Sequence, residues 1–214
     1  MMKIGVIGAT GKVGSLIINE AIERGHEATA IVRNAGKVKN EKADVLEKNI
    51  FDLKTEDLKA FDVVVNAFNA PPGEEHQHVE VGHLLIKALK GSSQTKLFVV
   101  GGAGSLFVDE AQTTRMLETP DFPEAYYPTA SKAAENLKEL QGSDGINWTY
   151  LSPAAFFNPN GKRTGSYQKG KDQMILNSEG ESYISYADYA IAVLDEIEKP
   201  QHENQRFTVV GEKE

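Results

Sequence analysis

Short runs rich in valine, isoleucine and phenylalanine alternate along the chain with longer stretches whose apolar positions recur every three or four residues. The first run predicts a strand over Lys3 to Gly8. Val13, Leu16, Ile17 and Ala21 then mark one face of a helix over Lys12 to Arg24, which Gly25 ends. Ala28 to Val32 predicts a second strand, Asp44 to Asn49 a weaker third, and Asp62 to Ala67 a fourth. The unbroken apolar character of the fourth suits a central strand buried on both faces. Short helices fill the gaps. Beyond them the pattern predicts a helix over Val79 to Leu89, a strand over Lys96 to Val100, a helix over Thr129 to Leu140 and a strand over Trp148 to Leu151. A helix over Tyr186 to Ile197 and a strand over Arg206 to Val210 close the chain.

Strand and helix in alternation predict an α/β fold, a doubly wound, mostly parallel sheet of Rossmann type. The segment Asn158 to Glu181 departs from the alternation. Gly161, Gly165, Gly170 and Gly180 punctuate it, so it is expected as loops and small strands forming an inserted substrate lobe. No repeat or linker divides the chain, and residues 1–214 are expected as one domain.

Composition narrows the chemistry. The 214 residues suffice for a full core without a staple, and the absence of cysteine excludes disulfides, a thiolate nucleophile and an iron-sulfur cluster. Redox chemistry would need a bound cofactor. The formal charge of -8, from 31 acidic and 23 basic residues, argues against nucleic acid as partner, although a local basic pocket remains compatible with it. No signal peptide pattern is visible at Met1-Met2-Lys3, and the apolar runs fall far short of the about 20 residues of a membrane helix, so no membrane partner and a cytoplasmic location are expected.

Directly after the first strand the chain reads Gly8-Ala9-Thr10-Gly11-Lys12-Val13-Gly14 and enters the first helix. Strand, glycine turn and helix in that order form the context of a dinucleotide fingerprint. Gly8 permits the tight turn, Gly11 lets a pyrophosphate approach the backbone, and Gly14 lets helix pack on sheet. The helix amino terminus offers N–H groups to the phosphates. Gly8, Thr10, Gly11, Lys12, Val13 and Gly14 are therefore the first candidate cofactor contacts.

Arg33 ends the second strand, 25 residues after Gly8, with Lys37 close behind. An acid there would hold the ribose of NAD(H), whereas a guanidinium pairs with the extra phosphate of NADP(H), so NADP(H) is preferred over NAD(H). In a sheet of this kind ligands lie beyond the carboxyl ends of the strands. This points to Ala67-Phe68-Asn69-Ala70-Pro71, Gly101-Gly102-Ala103 and Ser152-Pro153-Ala154-Ala155-Phe156-Phe157, with Ala67, Phe68, Gly101 and Pro153 on the cofactor side. These loops are apolar and aromatic. Phe68, Phe156 and Phe157 could stack on a flat conjugated small-molecule acceptor or could equally be core residues.

The spacing Gly-x-x-Gly-x-x-Gly resembles the atypical or extended short-chain dehydrogenase/reductase superfamily, and more closely its flavin-reductase-like, biliverdin-reductase-B-like and NmrA-like members. Val99-Val100-Gly101-Gly102-Ala103-Gly104-Ser105, Trp148-Thr149-Tyr150-Leu151-Ser152-Pro153-Ala154 and Ile184-Ser185-Tyr186-Ala187-Asp188-Tyr189-Ala190 extend the likeness over essentially the whole chain, in particular to NADH-flavin-reductase-like proteins. By that resemblance Asp52 corresponds to an acid beside the adenine; it could equally cap a helix before Leu53. The superfamily's usual Tyr-x-x-x-Lys dyad is broken. Tyr126 and Tyr127 precede Lys132 by six and five residues, and the position four before it is Pro128. Proline there favours a helix start that leaves both tyrosines ahead of its first turn. Ala103 stands where a catalytic serine is expected.

The resemblance thus implies an NADPH-dependent reductase of a flavin or quinone, the flavin being substrate rather than prosthetic group. Such a reaction can rely on proximity without a side-chain acid, with Tyr127 still able to reach the substrate from its loop. An NmrA-like redox sensor without turnover and an atypical ketoreductase or epimerase are the alternatives. Monomer and homodimer are both open. His76, His78 and His83 lie among glutamates, but their spacing is not that of a helical metal site, and a solvated helix start is the expectation, with no metal. Ser152 lacks the Gly-x-Ser-x-Gly elbow of a serine hydrolase.

Overall fold

The computed structural model describes residues 1–213. Its centre is an eight-stranded sheet, built from β1 (Lys3–Ile7), β2 (Glu27–Val32), β3 (Asp44–Glu47), β4 (Val63–Asn66), β5 (Lys96–Val100), β6 (Asn147–Ser152), β8 (Tyr167–Gly170) and β10 (Gln205–Gly211). The spatial order is β3-β2-β1-β4-β5-β6-β10-β8, and only the last pairing, β10 with β8, is antiparallel. The chain winds outward from β1 in both directions, so the crevice beyond β1 and β4 is the switch point of a doubly wound sheet. β7 (Phe156–Asn158) and β9 (Tyr183–Ser185) form a separate parallel pair.

Helices cover both faces. α1 (Lys12–Glu23) packs with α5 (Tyr186–Glu198) on one side; α3 (Gln77–Leu89) packs with α4 (Tyr127–Gln141) on the other, and α2 (Thr55–Leu58) touches α3. The period of two in the strands decides which layer each side chain joins. Val63 and Val65 of β4 face the cluster of Ile17, Ile18 and Ala21 from α1 with Tyr189, Ala190 and Val193 from α5. Val64, pointing the other way, meets Val81 and Leu85 of α3 and Leu137 and Leu140 of α4. β4 is buried at every position, as the continuous apolar run required.

Two expectations change in detail. α4 starts at Tyr127 itself, with Tyr126 as its N-cap and Pro128 inside the first turn, so Tyr127 belongs to the helix rather than to the loop before it. Proline lacks an amide that the first turn leaves unpaired anyway, and it fits one residue deeper than expected. The segment 158–181 does hold loops and small strands, but it does not stand apart as a lobe. Its β8 finds the open edge of β10, Arg163 reaches Glu20 of α1 at 2.9 Å, and the amides of Thr164 and Gly165 donate to the buried carboxylate of Asp188 at 2.9 and 2.8 Å. An exposed strand edge and a buried, otherwise uncompensated carboxylate both need partners, and this segment supplies them.

Candidate functional site

The turn between β1 and α1 is shaped by two close approaches. Gly8 has φ +77°, and a Cβ on it would lie 2.4 Å from the Ala67 carbonyl oxygen. The Ala67 amide in turn donates to the Ile7 carbonyl at 3.0 Å, which binds the loop after β4 to the end of β1. Gly14 is pressed against the other side of the same turn, where a Cβ would stand 2.3 Å from the Gly8 carbonyl oxygen. Gly11 differs: its amide closes the turn onto the Gly8 carbonyl at 2.9 Å, and a Cβ there would meet only that oxygen, at 3.2 Å, with open space beyond.

Gly11 is also the N-cap of α1, with no side chain capping the helix and no acid in its first turn. Among the described residues the amides of Lys12, Val13 and Gly14 have no acceptor. Three unpaired N–H groups and the positive end of a helix at an open cleft suit a phosphate ester.

A cavity of about 370 Å³ opens beyond the strand ends. Thr10 and Gly11 border it from the turn, Ile31 and Val32 from β2 with Arg33 just beyond, Lys48 to Phe51 from the segment after β3, Ala67 to Asn69 with Pro71 from the loop after β4, and Glu74 and Gln77 from the entry to α3. A second cavity of about 180 Å³ lies on the far side of Thr10 and Gly11, bordered by Lys12, Ser15, Lys37 and Lys39. Arg33 and Lys37 thus face two adjoining cavities that meet at the glycine turn. Lys12, Arg33, Lys37 and Lys39 have no ion-pair partner among the described residues, whereas Lys48 beside them is held by Asp57 at 2.6 Å. Of the acids at this end of the sheet, Glu74 borders the large cavity, and the carboxylate of Glu47 accepts the Ala35 amide at 2.9 Å.

Asp52 is not in this constellation. It ends a short 3-10 turn over Ile50–Asp52, borders neither cavity and caps nothing, because Asn49 accepts the Phe51 amide at 3.1 Å and performs the capping. Its neighbour Phe51, 42% exposed, does border the large cavity, together with Lys48 to Ile50. An aromatic four residues past the end of β3, next to the charged Asp52, was the signal available in the sequence. Gly101 and Pro153 likewise border neither cavity. Gly101 makes room for the ring of Tyr150, and Pro153 is buried.

The aromatic candidates separate. Phe68 borders the large cavity, its ring edge-on to His78 with centroids 5.8 Å apart. Phe156 is 57% exposed beside Tyr183 and borders neither cavity. Phe157, the next residue on the strand, turns inward against Tyr186 and Tyr189 at 4.1 and 4.7 Å, so it packs the α5 layer and is not an exposed stacking face. Tyr127 is half-exposed at the start of α4, edge-on to Phe122, and Lys132 is paired with Glu135 at 2.7 Å.

Sequence reasoning also missed Arg206. Its guanidinium is buried and donates to Asp172 at 2.7 Å, to Ser105 Oγ at 3.1 Å and to Ser152 Oγ at 3.4 Å, joining the loop after β5, the end of β6 and the segment after β8. A charged residue opening the apolar run Phe207 to Val210 was the available signal. No cluster of three or more histidine, aspartate or glutamate residues that could hold a metal occurs among the described residues, and none of their helices is long and apolar enough to cross a membrane.

Residues 8–200 match the NAD(P)H-binding family model. The uncharacterized protein YwnB of Bacillus subtilis (strain 168) is 66% identical over 213 residues, covering the whole of both chains. The crystal structure of SP1627 from Streptococcus pneumoniae TIGR4, which carries a provisional NADH-flavin reductase designation, superposes with a TM-score of 0.93 at 43% identity, over 99% of this chain and 100% of that one. An NAD(P)H azoreductase of Xenophilus azovorans is 27% identical over 209 residues, 96% of this chain and 67% of the relative.

Proposed function

The chain belongs to the NAD(P)H-binding family, and from that premise we propose that it is an NADPH-dependent reductase of a flat conjugated acceptor, a flavin or a quinone. The observation that carries the cofactor half is the glycine turn set between unpaired cations. Three free amides at the start of α1 can bind a pyrophosphate, and Arg33 with Lys12, Lys37 and Lys39 supplies positive charge that no ion pair among the described residues neutralises, against the single carboxylate of Glu74 in the cavity lining. In a protein of net charge -8 such uncompensated cations, gathered at one cleft, favour the more highly charged dinucleotide.

A bound reduced nicotinamide supplies a hydride, and an electron-poor ring can take it up with protons drawn from water. The chain's part is then to hold and orient. The Gly8 to Gly14 turn and Arg33 fix the phosphate end, Ala67 and Phe68 border the cleft past the turn, and Phe156, exposed although it borders neither cavity, is the further ring face open to an acceptor. A side-chain acid is not required. The arrangement agrees with that: Pro128 occupies the position of the missing tyrosine, and Lys132 is engaged by Glu135. The names of the pneumococcal and Xenophilus relatives, a flavin reductase and an azoreductase, support an aromatic acceptor.

The test is a turnover assay with purified protein, NADPH or NADH, and a panel of FMN, FAD and quinones, followed at the nicotinamide absorbance. Turnover above the uncatalysed rate, faster with NADPH, is expected. Tight binding that distinguishes oxidised from reduced dinucleotide, without turnover on any acceptor, would overturn the reductase in favour of a redox sensor.

A further inference from the structure

The loop after β4, Ala67 to Pro71, forms one wall of the large cavity, and its amides take their acceptors from three different elements. Ala67 donates to Ile7 of β1 at 3.0 Å and Phe68 to the Asn66 side chain at 3.1 Å. Ala70, itself buried, donates to Nε2 of His78 in α3 at 3.4 Å. The same imidazole lies edge-on to Phe68, with ring centroids 5.8 Å apart and planes at 67°. His78 therefore touches both the backbone and the aromatic side chain of a wall whose inner surface, Phe68, Asn69 and Pro71, faces the cleft.

We propose that His78 is a positioning residue for the cofactor cleft, its neutral imidazole accepting the Ala70 amide and bracing Phe68 so that the loop after β4 keeps the shape the dinucleotide needs. The inference rests on the reading of that cleft as a dinucleotide site. Chemistry fixes the tautomer: Nε2 must carry a lone pair to accept the amide, so the proton sits on Nδ1. A protonated ring has no acceptor. It would face the Ala70 amide with a second N–H, leaving a buried amide unpaired and the loop unheld.

The surroundings favour the neutral ring. Burial pushes the His78 imidazole below its usual range, opposed by the negative charge of Glu75. The loop from Ala67 to Pro71 contributes no charge, and Glu74 is bound by Gln77. On α3 His76 faces Glu80, and on α4, the helix packed against it, Lys132 is paired with Glu135 and Glu139 with His83. Glu75 is thus the charged group that acts on the ring.

The experiment compares two replacements by calorimetric titration with NADP+ and NAD+. His78→Gln places an amide oxygen near the position of Nε2 and cannot be protonated in the range studied; His78→Phe keeps a ring against Phe68 and loses the acceptor. At pH 7.5 His78→Phe is expected to bind both dinucleotides about 3–10-fold more weakly, the worth of one hydrogen bond to a buried amide, while His78→Gln stays within about twofold of wild type. On acidification wild-type affinity should fall with the midpoint of the His78 ring, read by NMR, and His78→Gln should lose that component. Thermal melts check that both variants fold. Equal affinities for wild type and His78→Phe, or a pH response that survives in His78→Gln, would overturn the positioning role. Failure of the wild type to bind either dinucleotide would instead overturn the reading of the cleft.

Discussion

The ring of Tyr150 stands where a side chain on Gly101 would have to go: a Cβ on Gly101 would lie 2.0 Å from the tyrosine Cε1. The contact continues through the hydroxyl, which accepts the Gly102 amide at 3.1 Å and donates to the Ala133 carbonyl at 3.3 Å. One buried phenol thus joins β6, the loop after β5 and α4. Its burial pushes the hydroxyl above the usual tyrosine range, so it stays a neutral donor. Gly101→Ala should destabilise the protein by about 1–3 kcal/mol through overpacking. Tyr150→Phe should cost about 1–2 kcal/mol by leaving the Gly102 amide without its partner. Because the two residues collide, Gly101→Ala should cost less in a Tyr150→Leu background than in wild type. Strictly additive losses in urea unfolding would contradict the contact.

The three glycines of the turn make separable predictions. At Gly8 the positive φ and the Ala67 carbonyl, and at Gly14 the Gly8 carbonyl, oppose any side chain with backbone atoms that cannot swing away. Gly8→Ala and Gly14→Ala should each lower stability by at least about 2 kcal/mol. Gly11→Ala should fold with near-wild-type stability, because its Cβ would meet a single oxygen at 3.2 Å, yet bind NADPH at least about tenfold more weakly by obstructing the phosphates. Melting curves alongside fluorescence titrations separate the two effects. Unimpaired binding by a folded Gly11→Ala protein would remove the phosphate from this turn.

Arg33 borders the large cavity without an ion-pair partner among the described residues. Arg33→Glu should weaken NADPH binding by about 1.5–3 kcal/mol, on the order of 10–100-fold, with much less effect on NADH. Equal losses for the two dinucleotides would refute selection by the extra phosphate.

The sequence exposed the parts of this protein governed by local rules. The alternation of Val63, Val64 and Val65 across two helical layers follows from the pleat alone, and the glycine turn declares itself because strand, turn and helix are contiguous. What stayed hidden depends on contacts between distant segments. Phe156 and Phe157 are chemically identical neighbours, and only the pairing of β7 with β9 decides which one turns toward Tyr189. Arg206 meets Ser105 across 101 residues of chain, and His78 looked like part of a wet helix start until the loop after β4 folded onto it. The alternative role of Asp52 as a cap is settled by the turn geometry, where Asn49 lies first.

At the foot of the α1 and α5 layer, Arg24 donates to Glu20 at 2.9 Å, Asp195 at 2.7 Å and Glu198 at 2.9 Å; Glu198 also binds His26 and Asp195 the Tyr167 hydroxyl. Burial would raise the Asp195 and Glu198 carboxyls, but the bonds from Tyr167, His26 and Arg24 outweigh it and hold both below their usual ranges. Depressed carboxylates stabilise the fold at pH values above their unfolded range near about 4, and that contribution is lost as pH falls through the lower folded values. Arg24→Leu should therefore cost about 1–3 kcal/mol at pH 7, discounted because Asp195 and Glu198 are partly solvated, and the deficit should shrink as acid neutralises the carboxylates left behind. Chemical denaturation of both proteins from pH 7 to pH 3.5 measures this. A deficit that grows on acidification would reverse the sign and exclude the argument.

The adjacent phenylalanines of β7 separate acceptor recognition from packing. Phe157 is wedged between Tyr186 and Tyr189, so Phe157→Ala removes a ring from the α5 layer and should cost about 2–4 kcal/mol, with melting temperature falling accordingly. Phe156 is 57% exposed, and Phe156→Ala should leave stability within about 0.5 kcal/mol of wild type. If its ring face receives the acceptor, the same substitution should raise KM for a flavin or quinone by about 3–10-fold, the worth of one aromatic stacking contact, and leave NADPH affinity unchanged. Phe156→Trp, with a larger face and the same exposure, should restore or lower that KM. Loss of NADPH affinity in Phe156→Ala would place the ring on the cofactor instead, and no change in either constant would mean that the acceptor does not stack on Phe156.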